Sequence, residues 1–125
     1  EWEYAARGNT RRLYPWGEAF NAASANTVEL GAGQPVVIAS NSAPSLYGAY
    51  DMSGNVWEWV QDWYASEYYK TSPASNPTGP ATGLKKVIRG GSFKTKGSAA
   101  TNSARGQASI DGRGDDIGFR CVEPQ

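Results

Sequence analysis

Glycine, proline and asparagine interrupt this chain so often that a long regular element has no room to form. The sequence holds 15 glycines and 7 prolines in 125 residues. Turn-forming clusters recur along its whole length, among them GAGQP (31–35), MSGN (52–55), NPTGP (76–80) and RGGS (89–92). Long helical periodicity is missing between them. The pattern predicts one small domain of short strands and abundant coil, anchored by its aromatic residues.

Composition excludes several classes of function. The 12 basic and 12 acidic residues give a formal net charge of zero, so a nucleic-acid partner is not expected. The apolar runs are only a few residues long, which excludes membrane insertion. Histidine is absent, which removes imidazole catalysis and histidine metal sites. Cys121, the only cysteine, has no internal disulfide partner and is expected in the core. Nothing in the sequence indicates a compartment.

Local signals predict four short elements. Residues 1–9 read as the end of a helix that stops at Gly8. PVVIA (35–39) is a strand candidate, and KKVIRGGSF (85–93) reads as a strand that ends at a Gly-Gly kink. IGFRCV (117–122) alternates, which predicts a half-buried strand with Ile117, Phe119 and Cys121 on one face and Arg120 on the other.

The segment YGAYDMSGNVWEWVQDW (47–63) concentrates tryptophans beside carboxylates. It contains three of the five tryptophans in the chain. The large apolar areas of Trp57 and Trp59 predict packing into the core. The carboxylates of Asp51 and Glu58 could bind a metal, take part in acid–base chemistry, or only keep this aromatic segment soluble. The residues alone leave these alternatives open.

Five stretches, taken in order, resemble the formylglycine-generating enzyme family, also called sulfatase-modifying factors. They are EWEYAARG, YPWG, YGAYDMSGNVWEWVQDWY, VIRGGSF and SARG…GRGDDIGFRC. The resemblance implies an α+β fold of the irregular C-type-lectin-like class, loop-rich with short antiparallel strands. It also implies that residues 1–125 are the C-terminal part of one such domain. A missing N-terminal half, or a second chain, is then expected to complete it through the helix end at residues 1–7.

The resemblance further implies one calcium site in the tryptophan-rich segment. The expected ligands are the carboxylates of Asp51 and Glu58 and the carbonyls of Gly54 and Val56. Calcium favours such mixtures of carboxylate and main-chain oxygens, and the turn at 53–55 would bring the two carboxylates together. The alternative is that Asp51 caps a turn while Glu58 is solvated.

A second family site is not expected here, and neither is the family's copper chemistry. The second calcium site would use Asn26 and Thr27, but residues 28–36 lack the matching aspartate. The oxidases of the family use two copper-binding cysteines, whose positions hold Thr95 and Ala100 in this chain. No catalytic residue and no copper are therefore expected. The partner position of Cys121 in disulfide-bearing members is held by an alanine, so this thiol should be free.

Residues 93–116, between RGGS and GFR, form a polar segment that is diversified in ligand-binding relatives. The candidate contacts for a protein or small ligand are Phe93, Lys94, Thr95, Lys96, Asn102 and Arg105. An ordinary solvated loop is the alternative.

Three functions are consistent with the sequence. The first is a non-oxidase, calcium-stabilised binding or scaffold module. The second is a fragment or subunit of an enzyme whose remaining active-site residues lie upstream or on another chain. The third is a diversified C-type-lectin-like ligand-binding protein. Histidines or cysteines upstream in the full-length product would favour the enzyme, whereas a targeting sequence and tandem domains would favour the module.

Overall fold

The structure is a computed structural model that describes residues 1–122. Its regular elements are one helix and four strands: α1 (Trp2–Arg7), β1 (Trp57–Trp63), β2 (Lys85–Arg89), β3 (Arg105–Ser109) and β4 (Ile117–Gly118). Single 3₁₀ turns lie at Ala22–Ser24, Tyr68–Lys70 and Gly97–Ala99. No helix within the described residues has the length and apolarity to cross a membrane. This is the loop-rich α+β organisation that the turn signals predict.

The four strands form one mixed sheet in the order β3-β2-β1-β4. β2 pairs antiparallel with both β1 and β3, whereas β4 pairs parallel with β1. The expectation of antiparallel strands is therefore wrong for β4. The cause is the connection, because the chain crosses from β3 at one edge to β4 at the other instead of turning back in a hairpin.

A row of charged residues runs across one end of the sheet, and α1 packs on it. Glu58, Arg89 and Arg105 are aligned on β1, β2 and β3. The indole nitrogen of Trp2 donates to Oε2 of Glu58 at 2.6 Å. Nη2 of Arg89 donates to Oε2 of Glu3 at 2.7 Å. Two side chains of the helix thus help to satisfy charged groups that the sheet buries.

Side-chain amides hold the loops together where strands are absent. Oδ1 of Asn55 accepts from the amide of Val36 at 3.0 Å and from Nδ2 of Asn26 at 3.1 Å. The backbone amide of Asn55 donates to the carbonyl of Asn26 at 2.7 Å. The neighbouring Gly54 has a φ of 78°, and a Cβ there would lie 2.4 Å from the same carbonyl. Only glycine permits this close approach of the two loops.

Two of the predicted elements are confirmed by local geometry. The helix ends at Arg7 and is followed by Gly8 with a φ of 65°. β2 ends at Arg89, and both Gly90 and Gly91 follow with positive φ. In each case glycine adopts a backbone conformation that other residues rarely reach, so the sequence signal and the structural cause coincide.

The strand predicted at 35–39 is wrong. Val37 and Ile38 are largely exposed, and the segment is turn and coil. Its backbone groups find side-chain partners in place of a neighbouring strand. Asn55 bonds both the amide and the carbonyl of Val36. Oδ2 of Asp51 accepts from the amide of Ala39 at 2.9 Å.

The face predicted to be buried at 117–122 is also wrong. The strand covers only Ile117–Gly118, Phe119 is 77% exposed and Cys121 is exposed. Arg120 instead turns inward, where Nη2 donates to Oε1 of Glu58 at 2.7 Å. The hydrogen bonds between the buried carboxylate of Glu58 and the guanidinium of Arg120 are strong because both groups are charged. They outweigh the small apolar contact that a sheet edge offers to the ring of Phe119.

The tryptophans of β1 do not form the predicted core. Trp57 and Trp59 are both half-buried, whereas Glu58 between them is only 6% exposed. The buried apolar side chains lie mostly in loops and on β2: Ala6, Tyr14, Ala25, Met52, Val87, Ile88, Phe93 and Ala100. The core therefore depends on loop anchors as much as on the sheet.

The ion pairs of Glu3 test how α1 is held. Burial opposes ionisation of this carboxyl, but hydrogen bonds from Arg7 and Arg89 outweigh it and hold the pKa of Glu3 below its ordinary 4.5. Because the folded-state pKa is lowered, the stabilisation is present above pH 4.5 and is lost as pH falls through the folded-state pKa. In urea unfolding, we expect Glu3→Gln to lower the free energy of unfolding at pH 7 by roughly 1–3 kcal/mol. The deficit should shrink in acid.

Glu67→Gln is the matched control, because the Glu67–Lys70 pair is mostly exposed. Such pairs contribute little to stability, so this variant should behave like the wild type. A Glu3→Gln deficit that equals the control, or that stays constant with pH, would contradict a structural role for the Glu3 pairs.

Candidate metal and ligand sites

A cavity of about 280 Å³ brings together three of the four residues predicted to bind calcium. Asp51, Val56 and Glu58 line it, and Gly54 lies in the same loop. The complete lining is Ile38, Asp51, Asn55, Val56, Glu58, Phe119, Arg120 and Cys121. The predicted turn at 53–55 does fold the chain so that both carboxylates face one space.

Asp51 has one occupied and one unoccupied carboxylate oxygen. The residue is 7% exposed and has a φ of 57°. Oδ2 accepts from the amide of Ala39, so the prediction that Asp51 bonds a turn holds for this oxygen. Oδ1 is buried and has no hydrogen-bond partner among the described residues. Buried acceptors are rarely left unpaired, so this oxygen fits a hard cation.

Two carbonyls of the same loop are free of backbone hydrogen bonds. Among the turn and loop bonds of residues 1–122, none ends on the carbonyl oxygen of Gly54 or Val56. Their neighbours are fixed, since the amide of Gly54 donates to Gly90 at 2.9 Å and the amide of Trp57 donates to Asp116 at 2.8 Å. Within residues 1–122, no three side chains of His, Cys, Asp or Glu come together as a group that could hold a metal ion. A metal here would depend on main-chain oxygens, which calcium accepts.

Glu58 is buried and multiply bonded, so the alternative of a solvated carboxylate is wrong. Its Oε2 accepts from the indole of Trp2 at 2.6 Å and from Nε of Arg120 at 3.1 Å. Its Oε1 accepts from Nη2 of Arg120 at 2.7 Å. A cation that binds Glu58 therefore meets a carboxylate that Arg120 already engages on both oxygens.

Asn26 and Thr27, the residues of the family's second calcium site, are fully buried. Nδ2 of Asn26 donates to the carbonyl of Gln34 at 3.0 Å and to Asn55, so this amide joins two loops. The hydroxyl of Thr27 donates to Oε2 of Glu29 at 2.7 Å. Oδ1 of Asn26 is buried without a partner among residues 1–122. The expectation that this site is absent rests on the sequence and stays a prediction.

Thr95 and Ala100 lie side by side over the Gly-Gly kink. A Cβ built on Gly91 would lie 3.2 Å from Cγ2 of Thr95 and 3.1 Å from Cβ of Ala100. The hydroxyl of Thr95 accepts from the amide of Ser92 at 2.9 Å. The two positions share one location but carry a hydroxyl and a methyl group. The only thiol, on Cys121, lines the Glu58 cavity instead.

The six candidate ligand contacts do not form one surface. Phe93 and Asn102 are buried, and Asn102 donates from its backbone and side chain to the carbonyls of Leu13 and Arg12. These two residues anchor the loop. Lys94 and Lys96 are exposed.

Arg105 is held among aromatic rings. Its Nη2 donates to the carbonyl of Ala65 at 3.0 Å. The guanidinium lies 4.8 Å from the ring centre of Tyr64 and 4.5 Å from that of Tyr69. Cation–π contacts of this kind hold the side chain against the segment that follows β1. Arg105 is therefore half-buried among aromatic rings, unlike the two exposed lysines.

Two contacts tie the ends of the polar segment together. Lys94 pairs with Asp115, and this hydrogen bond raises the pKa of the lysine and lowers the pKa of the aspartate. The hydroxyl of Ser92 donates to Oδ2 of Asp116 at 3.1 Å. These contacts join the two ends of residues 93–116, a segment that also contains β3.

A wide groove is the feature that the sequence did not predict. Its volume is about 1550 Å³, and it runs along α1, β1, β2 and the loop at 76–81. Trp2, Trp59 and Trp63 line it together with basic side chains, and Nζ of Lys86 lies 3.9 Å from the ring centre of Trp63. Its only sequence signal is the combination of tryptophans on β1 with basic residues on β2.

Comparison with known proteins agrees with this architecture. The sequence profile of the family described as "Sulfatase-modifying factor enzyme 1-like domain" matches residues 1–125. The formylglycine-generating enzyme of Streptomyces coelicolor is 36% identical over 98% of this chain and 44% of its own length. The serine/threonine-protein kinase pkn1 of Chlamydia pneumoniae is 36% identical over 98% of this chain and 20% of its own length. The chain thus spans less than half the length of these relatives.

A solved structure shows the same fold. Treponema denticola variable protein 1 superposes with a TM-score of 0.79 at 30% identity, over 95% of this chain and 43% of its own. The predicted fold class, irregular and C-type-lectin-like, is confirmed by this match. The chain belongs to the sulfatase-modifying factor family, the family of the formylglycine-generating enzymes.

Proposed function

We propose that this chain is a non-oxidase member of the family that acts as a calcium-stabilised binding or scaffold module. One observation carries the calcium proposal: Oδ1 of Asp51 is buried without a partner, and Asp51 lines the same cavity as Val56 and Glu58. Two carboxylates and the carbonyls of Gly54 and Val56 offer a charged, oxygen-only ligand set. Water can supply the remaining ligands that calcium requires.

The role of this calcium is structural. Its proposed ligands all lie within residues 51–58, where the turn at 53–55 leads directly into β1. An ion bound only by the folded state stabilises that state by mass action, by about 2.7 kcal/mol when free calcium is 100-fold above the dissociation constant. The ion would hold this turn in place at the start of the strand.

Asp51→Asn tests the site with little structural disturbance. Asparagine tolerates the left-handed backbone of this position and still accepts the hydrogen bond from Ala39. We expect the variant to match the wild type in chelator, and to lose most of the calcium-dependent rise in melting temperature. The measurement is thermal unfolding with chelator and with millimolar calcium.

Asp111→Asn is the control, because Asp111 is exposed and does not line the cavity. It should retain the full calcium response. A wild-type melting temperature that is the same in calcium and chelator, with no calcium bound in titration calorimetry, would refute the calcium proposal.

The absence of a cysteine pair supports the non-oxidase part of the proposal. Thr95 and Ala100 lie together over Gly91, and neither side chain is a useful copper ligand. Cys121 lines a different cavity from these two positions. Histidine is absent from residues 1–125, so imidazole cannot compensate within this chain.

We expect no copper binding at Thr95 and Ala100, and no oxygen consumption with a cysteine-containing peptide. The Streptomyces coelicolor formylglycine-generating enzyme provides the positive control in the same oxygen-electrode assay. Turnover by the isolated chain would overturn the proposal. Turnover only after an upstream region is added would favour the alternative that the chain is part of an enzyme.

The ligand surface proposed for the module narrows to the exposed part of residues 93–116. Lys94 and Lys96 face solvent, and Thr95 lies between them. The hydrogen bond between Ser92 and Asp116 joins the two ends of the segment. The exposed turns between these ends can vary their side chains without disturbing β3, which suits recognition of a protein or small ligand.

We further propose that an upstream part of the same polypeptide covers the wide groove. Glu1 itself lines the groove, so a chain that runs into α1 emerges over it. The groove exposes parts of Trp2, Trp59 and Trp63, and apolar area of this kind is normally covered. The relatives are more than twice as long as this chain, which leaves ample length for such a segment.

Residues 1–125 alone should therefore bind a hydrophobic dye and unfold with low cooperativity. Dye fluorescence, urea unfolding and light scattering on the same sample measure this. A discrete dimer with no dye binding would identify a second copy as the occupant instead. A stable monomer with a sharp transition and no dye binding would show that the groove needs no cover.

A further inference from the structure

We propose that Arg120 is an internal cation that competes with the metal ion for Glu58, so that Arg120 sets the calcium affinity of the site. The inference rests on the calcium proposal above. It assigns to the arginine a role that opposes ion binding, and it predicts a change of affinity with a definite sign.

The hydrogen bonds of Glu58 leave little room for another cation. A carboxylate has about four lone-pair positions. Trp2 uses one on Oε2 at 2.6 Å, and Arg120 uses one on Oε2 at 3.1 Å and one on Oε1 at 2.7 Å. One position on Oε1 remains. An ion bound there would lie beside the guanidinium, and the two positive charges would repel each other.

The charges of the cavity lead to the same conclusion. Two carboxylates, of Asp51 and Glu58, and one guanidinium, of Arg120, line it. With Arg120 in place, the set has one net negative charge for a divalent cation to neutralise. Without it, the set has two. Removal of the arginine therefore makes the cavity more attractive to calcium.

Arg120 is the partner of Glu58 that is able to move. Its side chain is 33% exposed, and the strand that precedes it has only two residues. Phe119 and Val122 beside it are largely exposed. Trp2, in contrast, belongs to α1, which the Glu3–Arg89 pair also holds on the sheet.

Displacement of Arg120 would change the wide groove as well as the small cavity. Among the residues described, it is the one that lines both the small cavity and the wide groove. Its Nη2 also donates to the carbonyl of Tyr50 at 2.7 Å, next to Asp51. The guanidinium thus has a second acceptor near its present position when Glu58 is taken by an ion.

A positioning role for Arg120 predicts the opposite change in calcium affinity. If Arg120 only positioned the carboxylate of Glu58, its loss would loosen a metal ligand and weaken calcium binding. If it competes, its loss strengthens binding. The sign of the affinity change after substitution therefore separates the two roles.

The test is calcium titration calorimetry on wild type, Arg120→Gln and Arg120→Lys. We expect Arg120→Gln to bind calcium about tenfold more tightly or better, which is within the range of couplings measured between sites. The lysine variant keeps the charge but loses the two-point contact, so its affinity should lie between those of the other two proteins. It also covers the case in which the glutamine variant does not fold.

Thermal unfolding gives a second readout. In chelator, Arg120→Gln should melt below the wild type, because Glu58 stays buried with fewer partners. The gain in melting temperature on adding calcium should exceed that of the wild type. A merely structural arginine would lower the melting temperature by the same amount in both conditions.

Arg113→Gln is the matched control, since it removes one positive charge from an exposed position that does not line the cavity. It should leave calcium affinity unchanged. Equal or weaker binding by Arg120→Gln, or an equal gain in Arg113→Gln, would overturn the competition. Absence of calcium binding by the folded wild type would refute the calcium proposal itself, and this inference with it.

Discussion

The buried carboxylate of Glu58 is the constraint on which the rest of the structure depends. An unpaired charge at 6% exposure would cost several kcal/mol of stability, so β1 requires partners for it. One partner, Trp2, comes from the first helix, and the other, Arg120, follows the last strand. Both ends of the described chain are thereby drawn onto the same residue. The Glu3–Arg89 pair repeats the arrangement one strand away, which explains why a six-residue helix has a fixed position.

Side-chain bonds to backbone groups replace the sheet in the other half of the domain. Asn55 holds Val36 and Asn26, and the hydroxyl of Ser53 donates to the carbonyl of Ala100 at 2.6 Å. Two of these contacts, Asn55 to Asn26 and Ser53 to Ala100, are buried, so they gain strength from their dry surroundings and would be costly to leave unmade. A chain with so many turns can be compact because short polar side chains satisfy the backbone groups that turns leave unpaired.

Features that depend on neighbouring residues could be predicted from the sequence. Features that depend on partners far away in the chain could not. Gly8 and the Gly90–Gly91 pair reveal the ends of α1 and β2, because positive φ is a local property. Val36 and its neighbours lose their strand to Asn55, 19 residues away. Arg120 turns inward because of Glu58, 62 residues away. The alternation of apolar and polar residues near the end of the chain is a local pattern, so it could not predict a bond to that carboxylate.

The same long-range contact joins the proposed ion site to the proposed docking groove. Glu58 lines the cavity, whereas its two hydrogen-bond donors, Trp2 and Arg120, line the groove. A partner that engaged the guanidinium from the groove would release an oxygen of Glu58 to the cation. By reciprocity, an ion that displaced the guanidinium would offer it to the partner, and the two binding events would strengthen each other by the same factor. A carboxylate shared in this way would couple the proposed ion site to the proposed docking groove without requiring any strand or helix to move.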